Sequence, residues 1–73
     1  MKKIVRLTRY PDFNETRRDL SEKEEKFYVF TDFEGMMFWL EQKLELRYET
    51  DNHYSKVDGY GLTIAEIITP ETP

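Results

Sequence analysis

Thr31 to Arg47, read T-D-F-E-G-M-M-F-W-L-E-Q-K-L-E-L-R, is the stretch with clear helical spacing, and its reading decides the fold. At about 100° per residue, Phe33, Met36, Met37, Leu40 and Leu44 fall on one side as a stripe of the width a helix presents to a core. Thr31 and Glu34 have the spacing of a capping box, and Asp32 and Glu34 suit the positive end of the helix dipole. The spacing therefore predicts a helix through about Arg47. Gly35 in its first turns costs about 1 kcal/mol against Ala and hints at a close approach to the backbone.

The far side of this helix carries Gly35, Phe38, Trp39, Gln42 and Leu46, where a solvated helix would hold Lys, Glu or Gln. Either the following segment folds back over these apolar groups, or they form an anchor patch for a partner, in which Trp and Phe are enriched. Glu34, Glu41 and Glu45 run beside them as an acidic ridge. The partner-binding set expected from this pattern is Glu34, Phe38, Trp39, Glu41, Gln42, Glu45 and Leu46.

Working outward, Lys3 to Tyr10 reads as a strand stopped by Pro11, with Val5 and Leu7 on one face and Arg6, Thr8 and Tyr10 on the other. Pro11 to Glu25 is polar and reads as a long connection. Lys26 to Thr31 is a strand with Phe27 and Val29 on one face and Tyr28 and Phe30 on the other. Such a strand is either covered on both sides or adds its second face to an exposed apolar surface. Glu49 to Gly59 is rich in turn residues and reads as the loop leaving the helix. Tyr60 to Thr69 is the last strand; Leu62, Ile64 and Ile68 share one side with an out-of-pattern Glu66, and Thr63, Ala65 and Ile67 share the other. Residues 70–73 are expected to fray.

The expected fold is α+β: a single β-β-α-β domain over residues 1–73, with a three-stranded, mainly antiparallel sheet in the order 2-1-3 and one helix on one face. The main alternative reads L-E-L-R-Y-E-T, which alternates with period two from Leu44, as a fourth strand at Leu46 to Thr50. At 73 residues such a domain sits near the size where one core barely offsets the entropy of folding.

Chemistry was sought and weighed against solvated surface. The chain has no Cys, so disulfide staples, thiolate zinc sites and a cysteine nucleophile are excluded. The three glycines, Gly35, Gly59 and Gly61, make no phosphate-binding loop. His53, the sole histidine, lies beside Asp51, Asn52 and Asp58, but Lys56 stands where a calcium loop needs glycine. No catalytic residue, metal or cofactor is expected. The start has no apolar run of signal length and no segment could span a bilayer, so no membrane partner and a cytoplasmic location are expected.

The net charge of -4 is unevenly spread: residues 1–18 balance at +4 and residues 19–73 at -8. The basic start gives the alternative expectation, a nucleic-acid-binding regulator using Lys3, Arg6, Arg9, Tyr10, Arg17 and Arg18. An acidic total argues against it. The leading expectation is a small acidic, non-enzymatic protein-binding module. It has the style of a phage or mobile-element accessory protein, a stoichiometric inhibitor or regulator of a host nucleic-acid-handling or defence protein with a basic surface. A homodimer is the other partner considered.

Overall fold

A computed structural model describes residues 2–70. In chain order it contains β1 (Lys3–Tyr10), β2 (Glu24–Phe30), helix α1 (Phe33–Phe38) continuing as a π-helical segment (Trp39–Lys43), then β3 (Arg47–Thr50), β4 (His53–Asp58) and β5 (Gly61–Ile68). The strands form one antiparallel sheet in the order β2-β1-β5-β4-β3. The three-stranded sheet expected from the sequence is therefore wrong: β3 answers to the alternative strand at Leu46 to Thr50, and β4 lies within Glu49 to Gly59, the stretch expected to be a loop. β1 does lie between β2 and the last strand. Of the frayed tail expected at 70–73, residues 71–73 lie outside the described residues.

The added strands make a hairpin. Asn52, at φ 66°, and Asp51 turn β3 into β4; asparagine tolerates this left-handed backbone better than other side chains. Gly59 and Tyr60 turn β4 into β5, and the Asp58 carboxylate accepts the Tyr60 amide at 2.8 Å. Gly61 is required by two constraints. Its φ is +111°, and a Cβ there would meet the Tyr10 carbonyl oxygen at 2.2 Å.

The helix begins later and ends earlier than its spacing suggests. Asp32 is the N-cap and no side chain caps the first turn, so the Thr31–Glu34 capping box does not form. The Asp32 side chain instead lies over Gly35, where a Cβ would meet its Oδ2 at 3.0 Å. At the other end the ladder widens: the Leu44 amide donates to the Trp39 carbonyl at 2.9 Å, and the Leu46 amide to Leu40 at 3.0 Å. Between them Glu45 takes φ 54° and reverses the chain into β3. A left-handed residue at this point is the usual way to end a helix, but it is usually glycine.

Alternation along each strand sorts the side chains into two layers. Val5, Tyr28, Ala65, Ile67 and Tyr54 share the face beneath the helix, where Met36, Leu40 and Leu46 complete the buried core. Leu7, Phe30, Met37, Trp39 and Leu44 pack round its margin. The shortest dimension of the molecule, 18 Å, accommodates sheet and helix alone. No helix or strand among the described residues lies over the opposite face.

Candidate functional site: the uncovered face of the sheet

The uncovered face is built in rows by strand register. In one row Val29, Ile4 and Ile68 lie side by side. The next row is Phe27, Arg6, Glu66 and His53, across β2, β1, β5 and β4. Then come Glu25, Thr8, Ile64, Ser55 and, on β3, Arg47. The last row is Tyr10, Leu62 and Val57. Two apolar rows thus bracket a charged and a mixed one.

Exposure separates this face from the covered one. Phe27 and Val29 are 59% and 58% exposed, and Val57 is 41% exposed. Ile4, Leu62, Ile64 and Ile68 are half-buried, and Thr8 among them is buried. A run of this kind goes beyond the scattered apolar residues normal on a surface. The more aliphatic side of β5 is the open one, while its covered side carries Ala65 and Ile67.

In the central row the polar side chains are already partnered. Arg6 Nη2 donates to Glu66 Oε1. His53 Nε2 lies 3.5 Å from Glu66 Oε2, and its Nδ1 is 3.1 Å from the Asp51 carbonyl oxygen. Glu66, out of pattern in the sequence, is thus the acceptor between two basic side chains from neighbouring strands. This was not legible as a site because its partners lie 60 positions upstream and 13 positions before it. The signal was its own misfit on an otherwise aliphatic strand face.

The residues expected to bind a partner do not stay together. Glu34, Phe38, Glu41, Gln42 and Glu45 are exposed on the outer side of the helix, with Phe38 at 56%. Trp39 and Leu46 are withdrawn. Trp39 packs against Tyr28 and Phe30 of β2, with ring centroids 4.8 and 5.2 Å away, and Leu46 is 6% exposed in the core. The reason is local: the helix lies across the sheet with its flank over β2, and Leu46 follows the chain reversal at Glu45 rather than continuing the helical wheel. What remains outside is one phenyl ring among carboxylates, with the Lys43 ammonium 5.9 Å from its centre.

The basic set is divided by strand alternation. Lys3 and Arg9 lie on the covered side, where Lys3 donates to Thr69 Oγ1 at 2.6 Å and Arg9 to the Tyr60 carbonyl at 3.5 Å. Arg6 and Tyr10 lie on the open side. Arg17 pairs with Asp19 at 3.4 Å, and Arg18 sits 5.9 Å from the centre of the Phe13 ring. Hydrogen bonds from Ser21 hold the Asp19 carboxyl below its ordinary pKa. No continuous cationic track results.

Concave sites are shallow. One hollow of about 430 Å³ beneath Leu44 is lined by Leu7, Arg9, Lys56, Asp58, Tyr60 and Thr63. Another, of about 450 Å³, lies at the edge of the open face, between Glu15 of the β1–β2 connection and Arg47, Ser55 and Val57. The loop at Asn14–Thr16 borders a third beside Val57, at one corner of the open face. Within the core boundary, Tyr54 donates towards Glu41 Oε2 at 3.4 Å, and burial first, then the Glu41 charge, pushes its phenol pKa up. Among the described residues no group of three His, Asp or Glu could hold a metal ion, and no helix is long and apolar enough to cross a membrane. No protein-family model, curated protein or solved structure matches this chain.

Proposed function

We propose that this chain is a non-catalytic protein-binding module that works through surfaces rather than a pocket. The observation that carries this reading is the sheet face left without a cover, with Phe27 and Val29 more than half exposed beside a row of aliphatic side chains. Burying such a face contributes about 25 cal/mol per Å² of apolar surface removed from water. Another protein surface is the natural source of that burial. The outer side of the helix supplies a second, acidic contact through Glu34, Glu41 and Glu45 around Phe38. It suits a basic partner and the role of stoichiometric inhibitor or regulator of a nucleic-acid-handling or defence protein.

The experiment is immobilisation of the wild type, a Phe27→Glu variant and a Phe38→Glu variant, followed by capture from host extract and from a solution of the chain itself. A polypeptide retained in stoichiometric amount, identified by mass and lost with either variant, supports the reading. An inert wild type that retains neither host protein nor its own second copy refutes it.

A further inference from the structure

We infer that the occupant of the open sheet face is a second copy of this chain, packed face to face about a two-fold axis that runs along the strands between β1 and β5. The inference rests on the protein-binding reading above and goes further by naming the partner. Its basis is that the rows of the face are complementary to themselves when reversed. About this axis the row Phe27, Arg6, Glu66, His53 meets its own reverse. Arg6 comes to lie opposite the second copy's Glu66, and Phe27 opposite the second copy's His53. An isologous interface requires this kind of self-complementarity.

The neighbouring rows agree. In the row Glu25, Thr8, Ile64, Ser55, Arg47, reversal sets Thr8 against Ile64 and brings Glu25 beside the second copy's Ser55 and Arg47. In the row Val29, Ile4, Ile68, reversal sets Ile4 against the second copy's Ile68, and Val29 reaches the turn between that copy's β3 and β4. Within the central row no like charges are forced together, which would cost several kcal/mol. At the corner Glu25 meets the second copy's Ser55, whose hydroxyl donates to Glu49, with Arg47 beside them. The central charges are also ready for burial, because Arg6 already donates to Glu66 within one chain. A charge that enters an interface with a partner of its own avoids the penalty of an unpaired one.

Area sets the strength of the association. Four strands at about 4.8 Å spacing and about seven residues at about 3.4 Å outline roughly 450 Å² per copy, near 900 Å² in all before side-chain relief is added. That is below the area of stable, specific interfaces and in the range of weak, transient association. Two aligned sheets with their helices outside form a four-layer stack, which leaves the acidic helix surfaces free on opposite sides.

Sedimentation equilibrium across protein concentrations from about 1 μM to about 1 mM tests the inference. The mass is expected to rise from that of one chain to that of two. Phe27→Glu, at an exposed position, should weaken association at least ~100-fold, through the lost burial of the phenyl ring and the cost of taking a carboxylate out of water, while Phe38→Glu should leave it unchanged. The decisive arm uses Arg6→Glu and Glu66→Arg, each alone a monomer. Mixed in equal amounts they should form a heterodimer, since each then supplies the charge the other lacks across the axis. Circular dichroism establishes that both are folded; if either is not, the Phe27→Glu arm decides. A single-chain mass throughout the range, a dimer indifferent to Phe27→Glu, or folded single variants that fail to pair overturns the inference. A monomer that captures another protein in a Phe27-dependent way overturns self-association alone and leaves the protein-binding reading standing. A monomer that captures nothing removes both.

Discussion

The two faces of the sheet differ less in what they are made of than in what lies over them. On the covered face, Val5 and Ala65 are fully buried beneath Met36 and Leu40. On the other, Ile4, Leu62, Ile64 and Ile68 are as apolar or more so, yet stay only half-buried. Among the described residues there is one helical segment, and it covers one face. The comparison teaches that hydrophobicity nominates a face for burial, while chain connectivity decides which face is buried within the monomer.

The largest effect that would sharpen this contrast is on the covered side. Leu40→Ala removes a fully buried side chain at the centre of the core and is expected to cost about 2–5 kcal/mol, enough to leave a domain of this size largely unfolded. Phe27→Glu on the open side, measured by urea unfolding at concentrations low enough to exclude association, should stay within about 0.5 kcal/mol of wild type. Equal losses from the two substitutions would break the distinction between the faces.

Next in size is Gly61, where β5 passes under the end of β1. Gly61→Ala brings a Cβ against the Tyr10 carbonyl and asks alanine to adopt φ +111°; a loss of about 2–3 kcal/mol is expected. Both faces depend on this pairing, so the variant should loosen the core and the open rows together, seen as faster amide exchange on either side of β5. Glu45 works in the opposite direction. Glu45→Gly relieves a left-handed backbone at the helix end and should raise stability by about 1 kcal/mol without touching the open face. Thermal denaturation measures it directly.

The smallest effect is electrostatic and confined to the β4–β5 turn. The Tyr60 amide, donating to the Asp58 carboxylate, holds that carboxyl below its ordinary pKa, with smaller help from Lys56 and Arg9. The native state therefore prefers the ionised form. Its stabilisation is complete above the ordinary carboxylate value of about 4 and is lost as pH falls through the lower folded value. Asp58→Asn should flatten the acid limb of the stability curve in that window and leave it unchanged at neutral pH beyond a constant offset. An identical acid slope in the two proteins would contradict this.

The strands at β1, β2 and β5 and the stripe Met36, Met37, Leu40 were legible because period-two and helical spacing are local properties of the chain. Of the hairpin, β3 was legible only as the alternative strand at Leu46 to Thr50, and β4 was not legible at all. The residues around it, E-T-D-N-H-Y-S-K-V-D-G, have the composition of a loop, and only Tyr54 is buried among them. The trace it left was a pair of turn dipeptides, Asp51-Asn52 and Asp58-Gly59, spaced by a strand's length. The helix end was hidden for a related reason: Glu45 adopts a glycine-like backbone, and nothing in its chemistry announces that. The expected binding set was split because a helical wheel treats Trp39 and Leu46 as outward, while one reaches sideways to Tyr28 and the other lies beyond the reversal.

What the sequence determined by itself is the alternation of side chains along each strand and round the helix, since these follow from fixed backbone geometry. It thereby placed Phe27 and Val29 on a common face, and Leu62, Ile64, Glu66 and Ile68 on another. Only the tertiary structure decided that those two faces are one continuous surface, that it lies away from the helix, and that Glu66 meets Arg6 and His53 there. Those outcomes depend on strand order and register, which arise from contacts between residues far apart in the chain and leave no periodic mark within any one segment.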